Sequence, residues 1–285
     1  MELRFTSRKN LREAIGDIGA YIILLVFGVM MLLPFVWMLS TSLKPPDEVF
    51  TFPPEFIPKH IAWDNYRRAL EQIPFDRFFF NSFYIATTIT IGQLFTSFLA
   101  GYAFARLKFS GRDVLFLIYL ATMMVPLQVR LVPLYVMMRS FHWIDTHYAL
   151  IIPALASAWG TFLARQFMLT IPKELDEAAR IDGCNYVDIV FRIILPVSKP
   201  LLATLGIFVF IGAYNDFLWP LIAINSIPLK TIPLGLIMFQ ERIYLETPWN
   251  YLMAASTVSV LPLLIIFILG QKYYVRGIVT SGLKG

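Results

Sequence analysis

Residues 172–200 read PKELDEAARIDGCNYVDIVFRIILPVSKP, a charged stretch set between strongly apolar segments. Pro172 suits the first position of a helix, and Glu174 and Asp176 put negative charge where the helix dipole favours it. Lys173/Glu177 and Asp176/Arg180 stand at i,i+4 and are expected to pair. These signals predict a short helix whose apolar face is Leu175, Ala178 and Ala179, a face that lets another surface come close to the backbone. Gly183 can take the left-handed conformation that stops such a helix. Asn185 is then the N-cap expected for a second short helix, with Val187, Val190, Phe191 and Ile194 at helical spacing until Pro196 limits it. Two short helices between segments apolar enough to enter a bilayer make a docking element.

The flanks set the class. Of 285 residues, 58% are hydrophobic and 15% charged, and mean hydropathy is +0.66, outside the range of an ordinary soluble domain. The reading is an all-α polytopic membrane protein. The net charge of +5 comes from basic residues in short connections beside apolar runs, so it reports orientation and implies no nucleic acid partner. Cys184 is the one cysteine, so no internal disulfide can form, and His60, His142 and His147 have no metal-ligand spacing. Neither a G-x-x-x-x-G-K-[ST] loop nor a G-x-G-x-x-G turn is present, so the chain lacks an ATP site of its own and is not read as an enzyme.

Taken in order, residues 1–17 form a basic tail and 18–43 a first transmembrane helix, too long an apolar core for a cleaved signal peptide. Residues 44–78 form a proline-rich external loop, in which Trp63, Tyr66 and Leu70 mark a short amphipathic helix lying on the membrane or facing a partner. Residues 79–275 form a five-helix core with spans at 79–105, 114–129, 147–164, 200–221 (interrupted by Asn215 and Asp216) and 251–270, enclosing the coupling loop 172–196; residues 276–285 are a C-terminal tail. Ser97/Gly101 and Ala156/Gly160 are small-xxx-small pairs suited to close helix packing. With six spans both termini share one side. The N-terminal tail, the loop after the second span, the docking loop and the C-terminus hold roughly 15 of the 24 Lys and Arg, so that side is cytoplasmic. Trp37, Trp143, Trp219 and Trp249 fall near the outer ends, where amphipathic rings sit.

Glu177-Ala178-Ala179, Gly183 and Ile193-x-Leu195-Pro196, with three and nine residues between the blocks, resemble the EAA motif of permease subunits of bacterial ATP-binding-cassette (ABC) importers. From about residue 75 onward the chain is similar to the maltose-permease-like, carbohydrate-importing branch. The similarity lies in the 124–130 stretch MVPLQVR, Asp182-Gly183, Asn215-Asp216-Phe217 and the closing Gly277-x3-Ser281-Gly282-x-Lys284-Gly285. That branch often has Trp before the Asn, where this chain has Tyr214. The resemblance implies the type I importer permease fold in a bacterial cytoplasmic membrane, with Glu177, Ala178, Ala179, Asp182, Gly183, Ile193, Leu195 and Pro196 coupling to an ATPase. It implies as partners two ATPase subunits carrying ATP and magnesium, a second and different permease subunit, and an external solute-binding protein. The implied activity is uptake of a carbohydrate, polyol or glycerol phosphate by alternating access.

Asp216 lies about 16 residues beyond the inner end of the fifth span, roughly 24 Å by helical rise, and Arg130 at similar depth on the third. Ionisable groups at that depth face a cavity or a partner. Two readings stay open: Gln128, Arg130, Tyr214, Asn215 and Asp216 line a polar solute path, or Arg130 and Asp216 form a structural pair or contact lipid headgroups. The alternative function is an ion-coupled secondary transporter, which needs clustered intramembrane acids where only Asp216 qualifies. A channel leaves the docking loop without a purpose, and a membrane enzyme lacks clustered nucleophile, base or metal groups.

Overall fold

The computed structural model describes residues 3–240 and 247–282, and side-chain surroundings for 16–240 and 247–271. The side chains of the basic tail at 1–15 and of the closing motif at 277–285 lie outside the described residues. The described chain is helical, with no strand, and divides into two compact units: Met1–Glu71 with Arg242–Val258, and Gln72–Glu241 with Ser259–Gly285.

The first unit holds α1 (Leu3–Ser42), α2 (Asp64–Gln72, ending one residue beyond the boundary) and the start of α14. Over Gly16–Ser42 the first helix is apolar, and its window of greatest hydropathy is 0% buried inside the chain, as suits a surface whose solvent is hydrocarbon. The loop after it is more ordered than its prolines suggest. Asn65 donates to the carbonyls of Ser42 (2.9 Å) and Lys44 (2.7 Å) and accepts from Asn250 (3.2 Å), and Glu48 accepts from the Lys59 amide and His60. These bonds fold the proline-rich segment back onto the end of α1. Asn65 and Ala69 are the buried positions, Trp63 and Leu70 stay exposed, and the polar Asn65 is inside because its amide satisfies the backbone of the preceding loop.

The second unit is built on α3 (Phe75–Arg106), followed by α4 (Arg112–Ala121), α5 (Leu127–Ser140), α6 (His147–Ile151) and α7 (Ala158–Thr170). Then come α8 (Glu174–Ile181), α9 (Tyr186–Asp188), a π-helical turn (Ile189–Ile194), α10 (Leu195–Val197), α11 (Lys199–Tyr214), α12 (Leu218–Ala223), α13 (Ile232–Ile237) and most of α14 (Trp249–Gly282). Helices α3 and α7 touch through small residues. A Cβ placed on Gly101 would lie 2.5 Å from the Ala164 Cβ, and one on Gly160 2.5 Å from the Ser97 Oγ. On α7 the packing pair is therefore Gly160/Ala164, one turn along from the expected Ala156/Gly160; Ala156 is exposed and precedes the helix.

Among the described residues four segments are long and apolar enough to cross a bilayer: Gly16–Ser42, Phe75–Arg106, His147–Thr170, in which α6 and α7 follow one another across a short break, and Trp249–Gln271. Two bent pairs, Arg112–Met124 with Leu127–Ser140 (101°) and Tyr186–Val197 with Lys199–Tyr214 (78°), bring the number to six when each is taken as one span. The first bend falls at Pro126, whose ring forbids helical continuation through Val125. The fifth span, expected over 200–221 with an interruption at Asn215 and Asp216, has its helix α11 end at Tyr214, and the chain breaks at Asn215–Phe217 before α12. Trp219 is not an interfacial ring: it is 6% exposed and donates to the Ala149 carbonyl at 2.9 Å. Ile85, Ile89, Met138, Leu150, Leu205, Trp219 and Leu234 form one core, and a second gathers at the other end of α3.

Candidate functional site

The second core carries the docking loop. Phe98, Tyr102 and Ala105 of α3, with Met168 of α7 and Ile171, enclose Ala179, Ile189, Val190 and Ile194. Lys173 is the N-cap of α8, so Pro172 stands just outside the helix, and Glu174, Asp176 and Glu177 fill the first turn. The helix ends as its glycine requires. Gly183 has φ +83°, its amide reaches the Arg180 carbonyl (3.0 Å), and the Cys184 amide reaches Ala179 (2.9 Å), the two bonds of a Schellman stop. Asn185 then caps the next helix, accepting from the amides of Val187 (2.8 Å) and Asp188 (3.0 Å).

Beyond that cap the ladder changes period. The Leu195 amide reaches back five residues to Val190, and Pro196 has no amide to restore a four-residue bond. The buried stripe becomes Ile189, Val190 and Ile194, leaving Val187 and Phe191 exposed, a correction to the regular helical spacing read from the sequence. Pro196 does not end the helix, which runs one residue further to Val197.

Helix α8 therefore has two unlike sides. Ala179 (4% exposed) and Asp176 (8%) face the core, while Leu175 (40%), Ala178 and Ile181 (87%) face outward. The expected face of Leu175, Ala178 and Ala179 is split between them. The outward side presents apolar surface beside Glu174 and Glu177, on a helix outside the candidate spans, with exposed Tyr186 and Val187 following at the start of the bent pair. Among the motif residues, Asp182 and Gly183 are also exposed, Ile193 and Leu195 are half-buried, and Pro196 is exposed.

The expected ion pairs of α8 are replaced. Arg180 lies over the Tyr186 ring, 4.9 Å from its centroid, and no ion pair joins Lys173 to Glu177 among the described residues. Asp176 instead faces Arg106, with Nε to Oδ2 3.5 Å apart, and Arg106 Nη2 donates to the carbonyls of Met168 (2.8 Å) and Ile171 (2.6 Å) at the end of α7. Sequence reading missed Arg106, taking it as one of the basic residues that set orientation. A partner 70 positions away leaves no local signal.

The residues expected along a solute path are less unified. Gln128 and Arg130 are exposed in the first turn of α5. Tyr214 is 2% exposed and donates to the Ser259 carbonyl at 3.1 Å, so it ties α11 to α14 and does not face a path. Asn215 is exposed and its amide returns to Ile211 of its own helix (3.0 Å). Asp216 is half-buried, with the amides of Phe217, Leu218 and Trp219 around its carboxylate. No ion pair joins Arg130 to Asp216 among the described residues. A cavity of about 500 Å³ lies between α3, α4 and α7, lined by Thr96, Phe104, Leu115, Ile118, Tyr119 and Thr161, and includes none of these five residues.

Residues 93–280 match the family model described as "Binding-protein-dependent transport system inner membrane component". The chain is 34% identical over 282 residues to the arabinooligosaccharides transport system permease protein of Bacillus subtilis, covering 98% of this chain and 99% of that one. It is 32% identical over 277 residues to the sn-glycerol-3-phosphate transport system permease protein of Brucella abortus, covering 95% and 98%. In fold it matches a chain from the crystal structure of a bacterial ABC transporter involved in the import of the acidic polysaccharide alginate, with a TM-score of 0.83 at 22% identity, covering 92% of this chain and 98% of that one. These matches span the docking loop, the small-residue α3–α7 contact and the break after Tyr214 alike, and the chain belongs to the family of inner membrane components of binding-protein-dependent transport systems.

Proposed function

We propose that this chain works as one of two different permease subunits, above two ATPase subunits and below an external solute-binding protein, and imports a carbohydrate or related polyhydroxylated solute. The observation that carries the reading is the outward side of α8: apolar Leu175, Ala178 and Ile181 beside Glu174 and Glu177, on a helix held from behind by its own core. Such a surface outside the spans needs a protein partner. Hydrolysis of ATP on the ATPase subunits supplies the energy; this chain's part is to receive their movement at α8 and pass it to the spans. Both termini and the docking loop lie in the cytoplasm on this reading, following the basic residues.

The solute class is supported by the names of the relatives, one serving arabinooligosaccharides and one sn-glycerol 3-phosphate, and by the fold match involved in alginate import. Gln128, Arg130, Asn215 and Asp216 are this chain's candidate contacts to hydroxyl-rich solute, with the second permease subunit supplying the rest. The test is purification of the chain with its co-purifying subunits and uptake into vesicles. ATPase attachment through α8 and uptake that needs ATP support the reading; uptake that persists without ATP and collapses with an ion gradient rejects it. Orientation has its own test: a membrane-impermeant thiol reagent should reach Cys184 in inverted vesicles, and labelling from outside intact cells reverses the assignment.

A further inference from the structure

A partner that moves α8 can move the membrane spans only through contacts within this chain. The apolar contacts of Ala179 allow sliding, whereas a hydrogen-bonded charge has direction. Arg106 is the charge in place. Its side chain is 4% exposed, it grows from the last turn of α3, it holds the end of α7 through the carbonyls of Met168 and Ile171, and its Nε faces Asp176 of α8. One guanidinium thus meets three helices.

The contact to α8 is unfinished. Among the described residues Arg106 Nε, Asp176 Oδ1 and Tyr102 Oη are buried without a hydrogen-bond partner, although bonds to buried polar groups are the rule. The α7 bonds are made at full strength while the Nε–Oδ2 distance is 3.5 Å. Closing it by about 0.7 Å would give a charge-assisted bond of ordinary length. We propose that Arg106 and Asp176 form a latch that passes displacement of α8 to α3 and α7, open as seen here and closed when the ATPase draws α8 towards the membrane. Arg106 is a positioning residue in this role, acting through Asp176. The inference rests on the reading of α8 as the ATPase-docking helix.

The test uses the whole complex with spin labels on the native Cys184, just beyond α8, and on Leu169→Cys, exposed near the end of α7. Distances are measured without nucleotide and after trapping with ATP, magnesium and vanadate. In the parent the two labels should approach by no more than the about 0.7 Å that closes the latch, because the closed latch then moves α7 and α8 together. Asp176→Asn and Arg106→Gln should each lengthen it by about 1–2 Å on trapping, the size of an interface helix shift. Arg106→Lys, which keeps charge but loses the planar fork, should fall between. The double variant Arg106→Gln/Asp176→Asn should move no further than Arg106→Gln alone, which already loses the latch together with the α7 bonds. A parent separation that lengthens, single variants that behave as the parent, or additive shifts overturn the latch. Failure of the near-isosteric Asp176→Asn to assemble also overturns it, making the pair a folding element. Failure of the ATPase to co-purify with the parent chain is a different result, and sinks the docking reading itself.

Discussion

Two interruptions of apolar sequence, the docking loop at 172–197 and the break at 214–218, share a mixture of charged, amide and aromatic residues but are built differently. In the docking loop the chain supplies everything that holds the surface: a Schellman stop at Gly183, an Asn185 cap, and a core of Ala179, Ile189, Val190 and Ile194 behind it. What faces outward is apolar and unpartnered, Ile181 most of all. At 214–218 the polar groups are spent locally: Tyr214 on Ser259, Asn215 on Ile211, and Asp216 near the amides of 217–219. A protein partner meets a preformed face, whereas any solute contact near Asp216 is incomplete within this one chain.

The largest effects should come from the preformed face. Ala178→Glu places a charge where an apolar contact is expected, and burying it unpaired costs several kcal/mol by a rough reckoning; ATPase co-purification and uptake should both disappear. Gly183→Val should lower uptake about tenfold or more, since a left-handed side chain costs about 1–2 kcal/mol and β-branching adds to it. A Cβ at Gly183 meets nothing within 4 Å in this chain, so that cost is conformational until the partner docks. Gly183→Asn, which tolerates the same φ, should therefore keep most uptake if backbone conformation dominates. Loss as severe as with Val would show that the ATPase approaches the glycine itself. Wild-type co-purification and uptake with Ala178→Glu would remove α8 from the docking surface.

What the sequence revealed about the loop was local, and what it hid was distant. Gly183 and Asn185 were legible because a left-handed stop and an N-cap depend on a few neighbouring residues. The six-span reading was legible because apolar length is a local quantity too. Arg106–Asp176, the Gly160/Ala164 register and the burial of Asn65 depend on elements far apart in sequence, so propensity and spacing gave no means to find them. The stripe error after Asn185 has another cause: a π turn alters the period on which helical spacing rests. Tyr214 shows the limit for sites, since an aromatic beside Asn-Asp reads equally as ligand contact or as core.

Asp216 decides whether the second region is a site at all. With backbone amides around it, it resembles a helix cap, and Asn caps as well as Asp. If its work is only to stop the chain, Asp216→Asn should preserve uptake and Asp216→Ala should lose thermal stability. We expect the other pattern: both variants assemble, and both raise the KM for the imported solute about tenfold, the loss of roughly 1.5 kcal/mol from one hydrogen bond to a charged group. Unchanged KM in Asp216→Ala would leave the break without a functional contact from this residue.

Tyr214→Phe should have the smallest effect and makes the sharpest control. The ring is 2% exposed and stacks on Phe210 at 5.8 Å, and Phe keeps both its volume and that contact, so no cavity opens. Only the bond to the Ser259 carbonyl is lost, at about 1 kcal/mol by the usual measure of one neutral hydrogen bond. Thermal unfolding of the purified complex should fall by a few degrees or less, with uptake and KM within about twofold of the parent. Tyr214→Ala, which empties a buried aromatic site, should cost roughly 3–5 kcal/mol and impair assembly. The two together separate packing from recognition. A Tyr214→Phe variant with an unchanged unfolding midpoint but an altered KM would place the hydroxyl against solute, and the break at 214–218 would then be as purposefully built as the docking loop.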